Sequence, residues 1–551
     1  MRIYQRTAWI AAVVGALWLS FAPQANGQAP DEGYESMEVA EEYRMPSEEG
    51  VNRSDRQAMA RLSENRRNMV RTLRETQSSI SDYLRGRSSS ATASDVEAWF
   101  NGFVIPMMAQ TDSESLSNLG EFRERFFRLY VNDVGNANLR GRVRDLVAPA
   151  MKQIAEGNYH PAARVNAIYV LGRLNDREGV RESRTLPVPN NDALNYLINT
   201  VRSDTLPAYL KVAALAGIER HAAVRGTRSP NAFSDAEARS VGDTMLDTLA
   251  LEASPPELQD DLVYWIKRRA IRILGLVGIP GDNGRYAKAL RDVIADDEQK
   301  MIVRSDAVEA YGQLDFSDDP DLADLLPVTR SIGQLVAQAA VEDAQYIDDK
   351  ISEIKMTAMF LDGTQAQSSG GGGANRGRER RDAGLGQGAE GGGQRGPGSA
   401  RDEVPEVLPD YQREQVRRRF KAYAWSGRIG LVGTQRDKKG GLRQFADDGE
   451  PEADLIDELV KDIEQLMTAT DVRREEEEEE EDDEDNFRNR NRDGDDEVVE
   501  EGPKIPLADQ LKIALEEGAK QIQDTLDRMV TPAPEDASGA PETPAEGQNG
   551  Q

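Results

Sequence analysis

The chain has 551 residues and no cysteine, an absence that excludes several kinds of chemistry at once. Without thiols there are no disulfide bonds, no thiolate metal ligands and no cysteine nucleophile. The lipid-modified cysteine of an exported lipoprotein is also missing. The folded state must therefore be stabilised by the packing of its core rather than by covalent links.

Histidine is almost as scarce, since His160 and His221 are the only two. No motif places either of them beside a serine or a group of carboxylates, and we expect both to be partly exposed residues at helix ends. No phosphate loop, no Gly-x-Ser-x-Gly elbow and no dinucleotide fingerprint after a strand is present. The sequence thus predicts no catalytic residue, no cofactor-binding residue, no metal ligand and no enzymatic activity.

Long apolar runs are confined to the N-terminus. Arg2 and Arg6 precede an apolar core from Thr7 to Ala22, and Ala25-Asn26-Gly27 offers small residues for cleavage before Gln28. This order is typical of a secretory signal. The core is shorter than the ~20 residues that span a bilayer comfortably, and an uncleaved anchor is the alternative. The sequence predicts a periplasmic or secreted protein with no stable membrane span after signal removal.

Acidic residues are concentrated near the C-terminus. The net charge is −30, and residues 446–551 contain 36 acidic and 10 basic residues, so the rest of the chain carries only −4. An acidic tail repels phosphate backbones, which argues against a nucleic-acid partner. Glu475 to Asp485 is acidic throughout and predicts disorder. We expect residues from Ala446 onward to leave the stability of the preceding region unchanged.

The sequence contains a partial match to one metal-binding motif, the calcium loop of an EF-hand. The residues at positions 1, 3, 5, 6 and 12 of an EF-hand-like loop are Asn489, Asn491, Asp493, Gly494 and Glu500. Position 1 should be Asp, and the usually apolar position 8 is Asp496. These departures favour weak, diffuse binding of divalent cations by the acidic tail over a specific site.

Three stretches carry the same spaced pattern of basic, small and apolar residues, at offsets 0, 3, 7 and 8. The copies are Arg164, Ala167, Leu171 and Gly172; Lys267, Ala270, Leu274 and Gly275; and Arg304, Ala307, Tyr311 and Gly312. A fourth copy, around Leu210 to Ile218, keeps Gly217. These offsets lie on one face of a helix, so the pattern predicts helices whose small residues let a neighbouring helix approach closely.

These residues resemble the HEAT-like helical repeat family (armadillo-type and lyase-type), in the short form that reads Val-Arg, Ala, Leu-Gly and then a polar turn. His160 to Asp176 ends in the Asn-Asp turn expected between repeat helices, and Val303-Arg304 supplies the Val-Arg pair. The resemblance covers about half the chain, roughly residues 115–360. It implies an all-α fold, an irregular α-solenoid of HEAT-like repeats, and together with the secretory signal it suggests an exported bacterial HEAT repeat protein.

Composition and periodicity divide the chain into eight segments. They are a signal peptide (1–27), a flexible lead with an amphipathic helix (28–93), a HEAT-like helical repeat domain (94–361), a Gly/Arg-rich disordered linker (362–407), a helical extension (408–470), an acidic disordered segment (471–503), an amphipathic helix (504–530) and a disordered tail (531–551).

Amphipathic helices flank the repeats. Ser54 to Arg85 has a near-heptad apolar stripe interrupted by Arg66, and we favour docking on the repeats over a coiled coil. Asp95 is the expected N-cap of the next helix. The final helix, Pro506 to Met529, needs an apolar partner; we favour docking within the chain over a hook for another molecule.

A basic and aromatic stretch follows the Gly-rich linker. It contains Arg413, Arg417, Arg418, Arg419 and Lys421 together with Phe420, Tyr423 and Trp425. Such a stretch can be a patch for nucleic acid or anionic lipid, or an amphipathic helix with a solvated basic face. We favour the amphipathic helix, because a charged helix face is usually a solvated face.

Two functions of different classes are compatible with this sequence. The first is an exported non-enzymatic scaffold that binds protein partners, because stacked repeats form extended surfaces without catalytic groups. The second is a lyase-like accessory enzyme, because the resemblance implies that some HEAT-like relatives act in chromophore attachment. An acidic, divalent-cation-binding envelope protein is a third possibility, compatible with the first. The sequence does not identify the protein partner.

Overall fold

The computed structural model describes residues 33–48, 51, 54–132, 134–135, 137–179, 185–228, 233–250, 260–368, 408–433, 441–471 and 507–529. Within these residues the fold is all-α, as the sequence predicts. The chain divides into two compact units, Met1–Ala232 and Phe233–Gln551. The predicted secretory signal, nearly all of the Gly/Arg-rich linker, the acidic segment from Val472 onward and the C-terminal tail lie outside the described residues.

The described part of unit 1 contains seven helices of seven residues or more. They are α1 (Arg56–Leu84), α2 (Ala93–Trp99), α3 (Ser113–Phe126), α4 (Ala137–Glu156), α5 (Pro161–Arg173), α6 (Asn191–Arg202) and α7 (Ala208–Arg228). Helix α5 packs against α3, α4 and α7, and α6 packs against α7. The core of unit 1 therefore lies around α5 and α7.

Two helices of unit 1 continue into π-helical turns where large aromatic side chains meet. These turns are Phe100–Val104, after α2, and Phe127–Val131, after α3. Trp99 Nε1 donates a hydrogen bond to the Tyr130 hydroxyl at 3.1 Å in the buried space between them. The N-cap of α2 is Thr92, which forms a capping box with Asp95. The expectation that Asp95 is the cap was wrong, because Asp95 is the third helical residue.

A short hairpin joins α5 to α6. Asn175–Arg177 (β1) pairs antiparallel with Val188–Pro189 (β2). The sequence predicted a simple Asn-Asp turn at this point. The prediction was wrong because Asn175 and Asp176 make contacts beyond a turn: Asn175 Nδ2 donates to the Glu178 carboxylate at 2.8 Å, and Asp176 accepts from Arg144 at 2.7 Å.

The described part of unit 2 contains eight helices. They are α8 (Asp235–Leu249), α9 (Asp260–Val277), α10 (Arg285–Ala295), α11 (Met301–Tyr311), α12 (Leu325–Ser368), α13 (Asp410–Val432), α14 (Pro451–Ala469) and α15 (Leu507–Arg528). Helix α9 packs on α8 and α11, and α11 packs on α10 and α13. None of the described helices of either unit is long and apolar enough to cross a bilayer.

Helices α12 to α15 form a four-helix bundle, in which each helix contacts the next and α15 returns to α12. The final helix thus docks within its own chain, as predicted. Its buried residues are Leu511, Leu515, Ile522 and Leu526. A Cβ on Gly333 would meet Leu526, and Lys512 binds Asp348 at 2.7 Å, so α15 runs antiparallel to α12.

The bundle corrects the expectation that residues from Ala446 onward add nothing to stability. Ile456, Leu459 and Ile463 of α14 are completely buried. Asp462 is also buried and accepts a hydrogen bond from Thr525 Oγ1 of α15 at 2.7 Å. The expectation rested on the acidic balance of the whole region, but most of its acidic residues lie outside α14 and α15.

The glycines of the repeated pattern lie at close helix contacts. A Cβ added to Gly172 would lie 2.8 Å from the Cα of Gly217, and one added to Gly312 would lie 2.6 Å from the Cα of Gly430. Real Cβ atoms do not approach a backbone so closely. The prediction that small residues permit close approach is therefore confirmed for the α5–α7 and α11–α13 contacts.

The basic position of the pattern also has a repeated structural role. Arg164 Nε donates to the carbonyl of Ala155, and Arg304 Nε donates to the carbonyl of Ile294, each at 2.9 Å. Both carbonyls belong to the second-last residue of the preceding helix. Carbonyls at a helix end lack partners inside the helix, so each arginine satisfies one of them.

Candidate interaction surface

Helix α13 contains the whole basic and aromatic stretch. It packs against α11, α12 and α14, and one further face is exposed. Phe420 is completely buried, so it belongs to the core of the bundle. The cations on the faces toward α12 and α14 are paired with carboxylates of the same chain, and the exposed face is open to a partner.

The face toward α12 is fixed by an ion pair whose carboxylate is buried. Arg419 Nε donates to Asp343 Oδ1 at 2.7 Å, and its guanidinium lies 4.9 Å from the ring centroid of Tyr346. Asp343 is 2% exposed, and its second oxygen, Oδ2, is buried without a hydrogen-bond partner. Burial raises the pKa of Asp343 to about 6, although Arg419 opposes the effect.

The face toward α14 is fixed by a second group of ion pairs. Arg417 Nη1 lies 2.5 Å from the Asp471 carboxylate, which also binds Lys421. Burial alone would raise the pKa of Asp471, but Lys421 and Arg417 hold that pKa below its ordinary value. Arg428 Nε donates to Glu464 at 2.6 Å. These ion pairs therefore fix the rotation of α13 about its own axis, and with it the face that α13 exposes.

A related network lies on the neighbouring helices α9 and α11. Asp306 accepts from Arg268 Nε at 2.6 Å and from Arg272 Nη2 at 3.1 Å. Burial raises the pKa of Tyr423 on α13, and the positive charges of Arg419 and Arg268 oppose this effect. The networks of Asp306 and Asp343 thus belong to one polar region that joins four helices.

The exposed face of α13 carries a continuous stripe, which we call the α13 stripe. Its members are Tyr411, Gln415, Arg418, Ala422 and Trp425, spaced alternately by four and three residues. Tyr411 is 64% exposed and Trp425 is 44% exposed. Arg418 binds Glu414 of its own helix at 2.5 Å. The arrangement can offer two aromatic rings and a guanidinium to another molecule.

The two histidines do not form a site. His160 is the N-cap of α5, where Nδ1 accepts from the Ala162 amide at 3.2 Å. His221 was expected to be partly exposed at a helix end, which was wrong: it is completely buried inside α7. Neither of its ring nitrogens has a hydrogen-bond partner, and burial lowers its pKa well below the ordinary value.

No metal site is found in the part of the chain that the structure describes, since no group of three or more potential ligands occurs there. The EF-hand-like residues Asn489 to Glu500 lie outside the described residues. Sequence reasoning missed Asp306 and Asp343, because an acidic residue in a charged helix gives no sign that it is buried. One signal existed for Asp306: it lies two residues after Arg304, inside an otherwise apolar copy of the repeated pattern.

No protein-family model, no curated protein and no solved structure matches this chain.

Proposed function

We propose that the protein is an exported, non-enzymatic scaffold built on HEAT-like helical repeats, and that it binds a protein partner through the α13 stripe. The observation that carries this proposal is the exposure of Tyr411, Arg418 and Trp425 on one line of a single helix. Tyrosine, tryptophan and arginine are the residues that most often dominate the energy of protein interfaces.

The fixed rotation of α13 supports the proposal. Ion pairs on two sides hold the helix, so the exposed side chains project from a rigid element. A rigid element loses little conformational entropy on binding. Because less of the interaction free energy is then offset by ordering, the same contacts give a higher affinity. The stripe extends over four turns of helix, about 21 Å, which is enough to lie along a partner helix or in a groove.

The repeated pattern supports the scaffold part of the proposal. Arg164 and Arg304 have the same role at two distant positions, and the glycines that follow them permit the same close approach. Contacts between α5 and α7, and between α9 and α11, join helices two apart in sequence. Stacked repeats of this kind form extended binding surfaces. The secretory signal that the sequence predicts is consistent with action outside the cytoplasm.

Site-specific photocrosslinking tests the proposal. A photoreactive residue replaces Gln415 or Ala422 in the α13 stripe, and Gln334 or Arg330, on the exposed surface of α12, in matched controls. In cells that export the chain, we expect one discrete adduct from the stripe positions and none from the controls. Trp425→Ala should reduce the yield of that adduct severalfold. Equal adducts at all four positions, or no adduct in the stripe, would contradict the proposal.

A further inference from the structure

Helix α1 in unit 1 is anchored mainly through its C-terminal end. Ile80 and Leu84 are 1% exposed, and Gln77 accepts from Arg125 at 2.7 Å. The carbonyl of Leu84 accepts from the Gly135 amide at 3.0 Å. The described contacts of this helix with α2 and with the turn Phe127–Val131 are few.

The face of α1 that is packed at its C-terminal end lines an open groove at its N-terminal end. Leu62 and Ile80 are eighteen residues apart, which is five turns of helix, so they point in the same direction. Around Leu62 the structure has a groove of about 660 Å³. Its lining on α1 is Met59, Leu62, Ser63, Arg66, Arg67, Val70, Arg71, Arg74 and Glu75. Its floor is thus apolar and its rim is rich in arginine.

The arginines of the rim are largely uncompensated. Arg66 is held by the Pro46 carbonyl and by Glu48, at 3.0 and 2.9 Å. Arg71 approaches Glu75 only at 3.9 Å, with both side chains more than 70% exposed. Arg67 and Arg74 have no ion-pair partner among the residues that the structure describes. Outside residues 446–551 the chain carries a net charge of only −4, and these arginines make the rim locally positive.

We propose that this groove binds an acidic, amphipathic segment of another protein. The rim supplies charge complementarity for carboxylates, and the arginine forks suit their planar geometry. The apolar floor of Met59, Leu62 and Val70 would accept the apolar side chains of the same segment. The proposal is independent of the α13 stripe, because the groove belongs to the other unit.

A protein segment fits this groove better than an anionic membrane. A helix that inserts into a lipid surface exposes large apolar side chains on one face. Met59, Leu62, Met69, Val70 and Leu73 are buried or half-buried instead, and no large apolar side chain of α1 is among the exposed ones. The apolar side chains lie between exposed arginines, where the side chains of a protein segment can reach them.

Fluorescence anisotropy with the full chain tests the proposal. The probe is a labelled helical peptide of glutamate and leucine, with the leucines on one face. A poly-glutamate peptide of equal charge is the comparison. We expect saturable binding of the amphipathic probe that weakens as salt is raised, and at least about tenfold weaker binding of poly-glutamate.

Charge-reversed variants locate the binding. Arg67→Glu with Arg74→Glu should lower the affinity for the probe at least about tenfold. Arg56→Glu with Arg61→Glu makes the same charge change on exposed positions of the same helix outside the groove lining, and should change the affinity less than about twofold. Equal losses in both variants, equal binding of poly-glutamate, or competition by anionic lipid vesicles would overturn the proposal.

Discussion

At the scale of single residues, glycine decides how closely the helices of this fold approach each other. Gly312 meets the backbone of Gly430, and Gly275 meets the backbone of Ala310, where a Cβ on Gly275 would lie 2.7 Å from the Cα of Ala310. In these positions a methyl group must displace a main chain rather than a flexible side chain. The stability cost of a substitution therefore depends on the neighbouring helix and not on helix propensity.

The first prediction concerns Gly312. Gly312→Ala should lower the free energy of unfolding by about 1–3 kcal/mol, because the added methyl group forces α11 and α13 apart. Urea unfolding measures this change. Gly120→Ala in α3 is the matched control, since its Cβ would meet no atom within 4 Å. The control should stabilise the protein by up to about 1 kcal/mol through helix propensity. A stabilising Gly312→Ala would show that the close contact does not exist.

The second prediction concerns Asp343 and pH. Its folded-state pKa of about 6 is above the ordinary value of 3.8. The folded state thus binds the proton more tightly than the unfolded state. The resulting stabilisation is fully present below pH 3.8 and is lost as the pH rises through 6. Relative to the parent, Asp343→Asn should gain roughly 1–3 kcal/mol of stability between pH 4 and pH 7.

Urea unfolding of the parent and of Asp343→Asn at several pH values measures this difference. Asp471→Asn is the appropriate control, because ion pairs hold the pKa of Asp471 below its ordinary value. Its pH dependence should have the opposite sign: stability from Asp471 is present above its unfolded pKa and is lost as the pH falls. Parallel curves for the parent and Asp343→Asn would mean that Asp343 is not a buried carboxylate.

At the scale of elements, the sequence predicted most helices and few of their contacts. A helical extension was predicted over residues 408–470, and α13 and α14 occur there, because their apolar positions have clear helical spacing. The hairpin of β1 and β2 was missed, since three-residue and two-residue strands have no periodicity to detect. His221 was placed wrongly because a polar residue inside a helix with many small residues gives no signal of burial.

The third prediction concerns α15. Truncation at Gly502 removes Leu511, Leu515, Ile522 and Leu526 from the bundle. Each buried leucine or isoleucine contributes about 1.5–3 kcal/mol, so the melting temperature should fall by more than about 10 °C. A chain that ends at Met529 keeps α15 and is the control; its melting temperature should match the parent. If both truncations melt like the parent, α15 does not stabilise the bundle.

At the scale of the whole molecule, charge is distributed so that apolar packing and high acidity occur in the same region. In α14 and α15 the side chains that face the bundle are apolar, whereas Glu464 and Glu458 lie on the surface and bind Arg428 and Arg528. The pair of Arg528 with Glu458 is exposed on both sides and contributes little stability, about 0–1 kcal/mol. The Arg428 side chain, in contrast, is only 12% exposed. The apolar faces therefore stabilise the bundle, and net charge alone did not indicate that the region folds.

The last prediction concerns export of the whole chain. If residues 1–27 are a cleaved signal, the mature protein should begin at Gln28 and occur in the periplasmic or external fraction. N-terminal sequencing and cell fractionation measure this outcome. Val14→Arg places a charge in the apolar core, which costs roughly 2.5–3.5 kcal/mol on insertion, so it should retain the precursor inside the cell. Glu42→Arg, beyond the cleavage point, should leave export unchanged. A membrane-bound protein that keeps its first residues would identify the segment as an anchor, and a soluble cytoplasmic parent would disprove export.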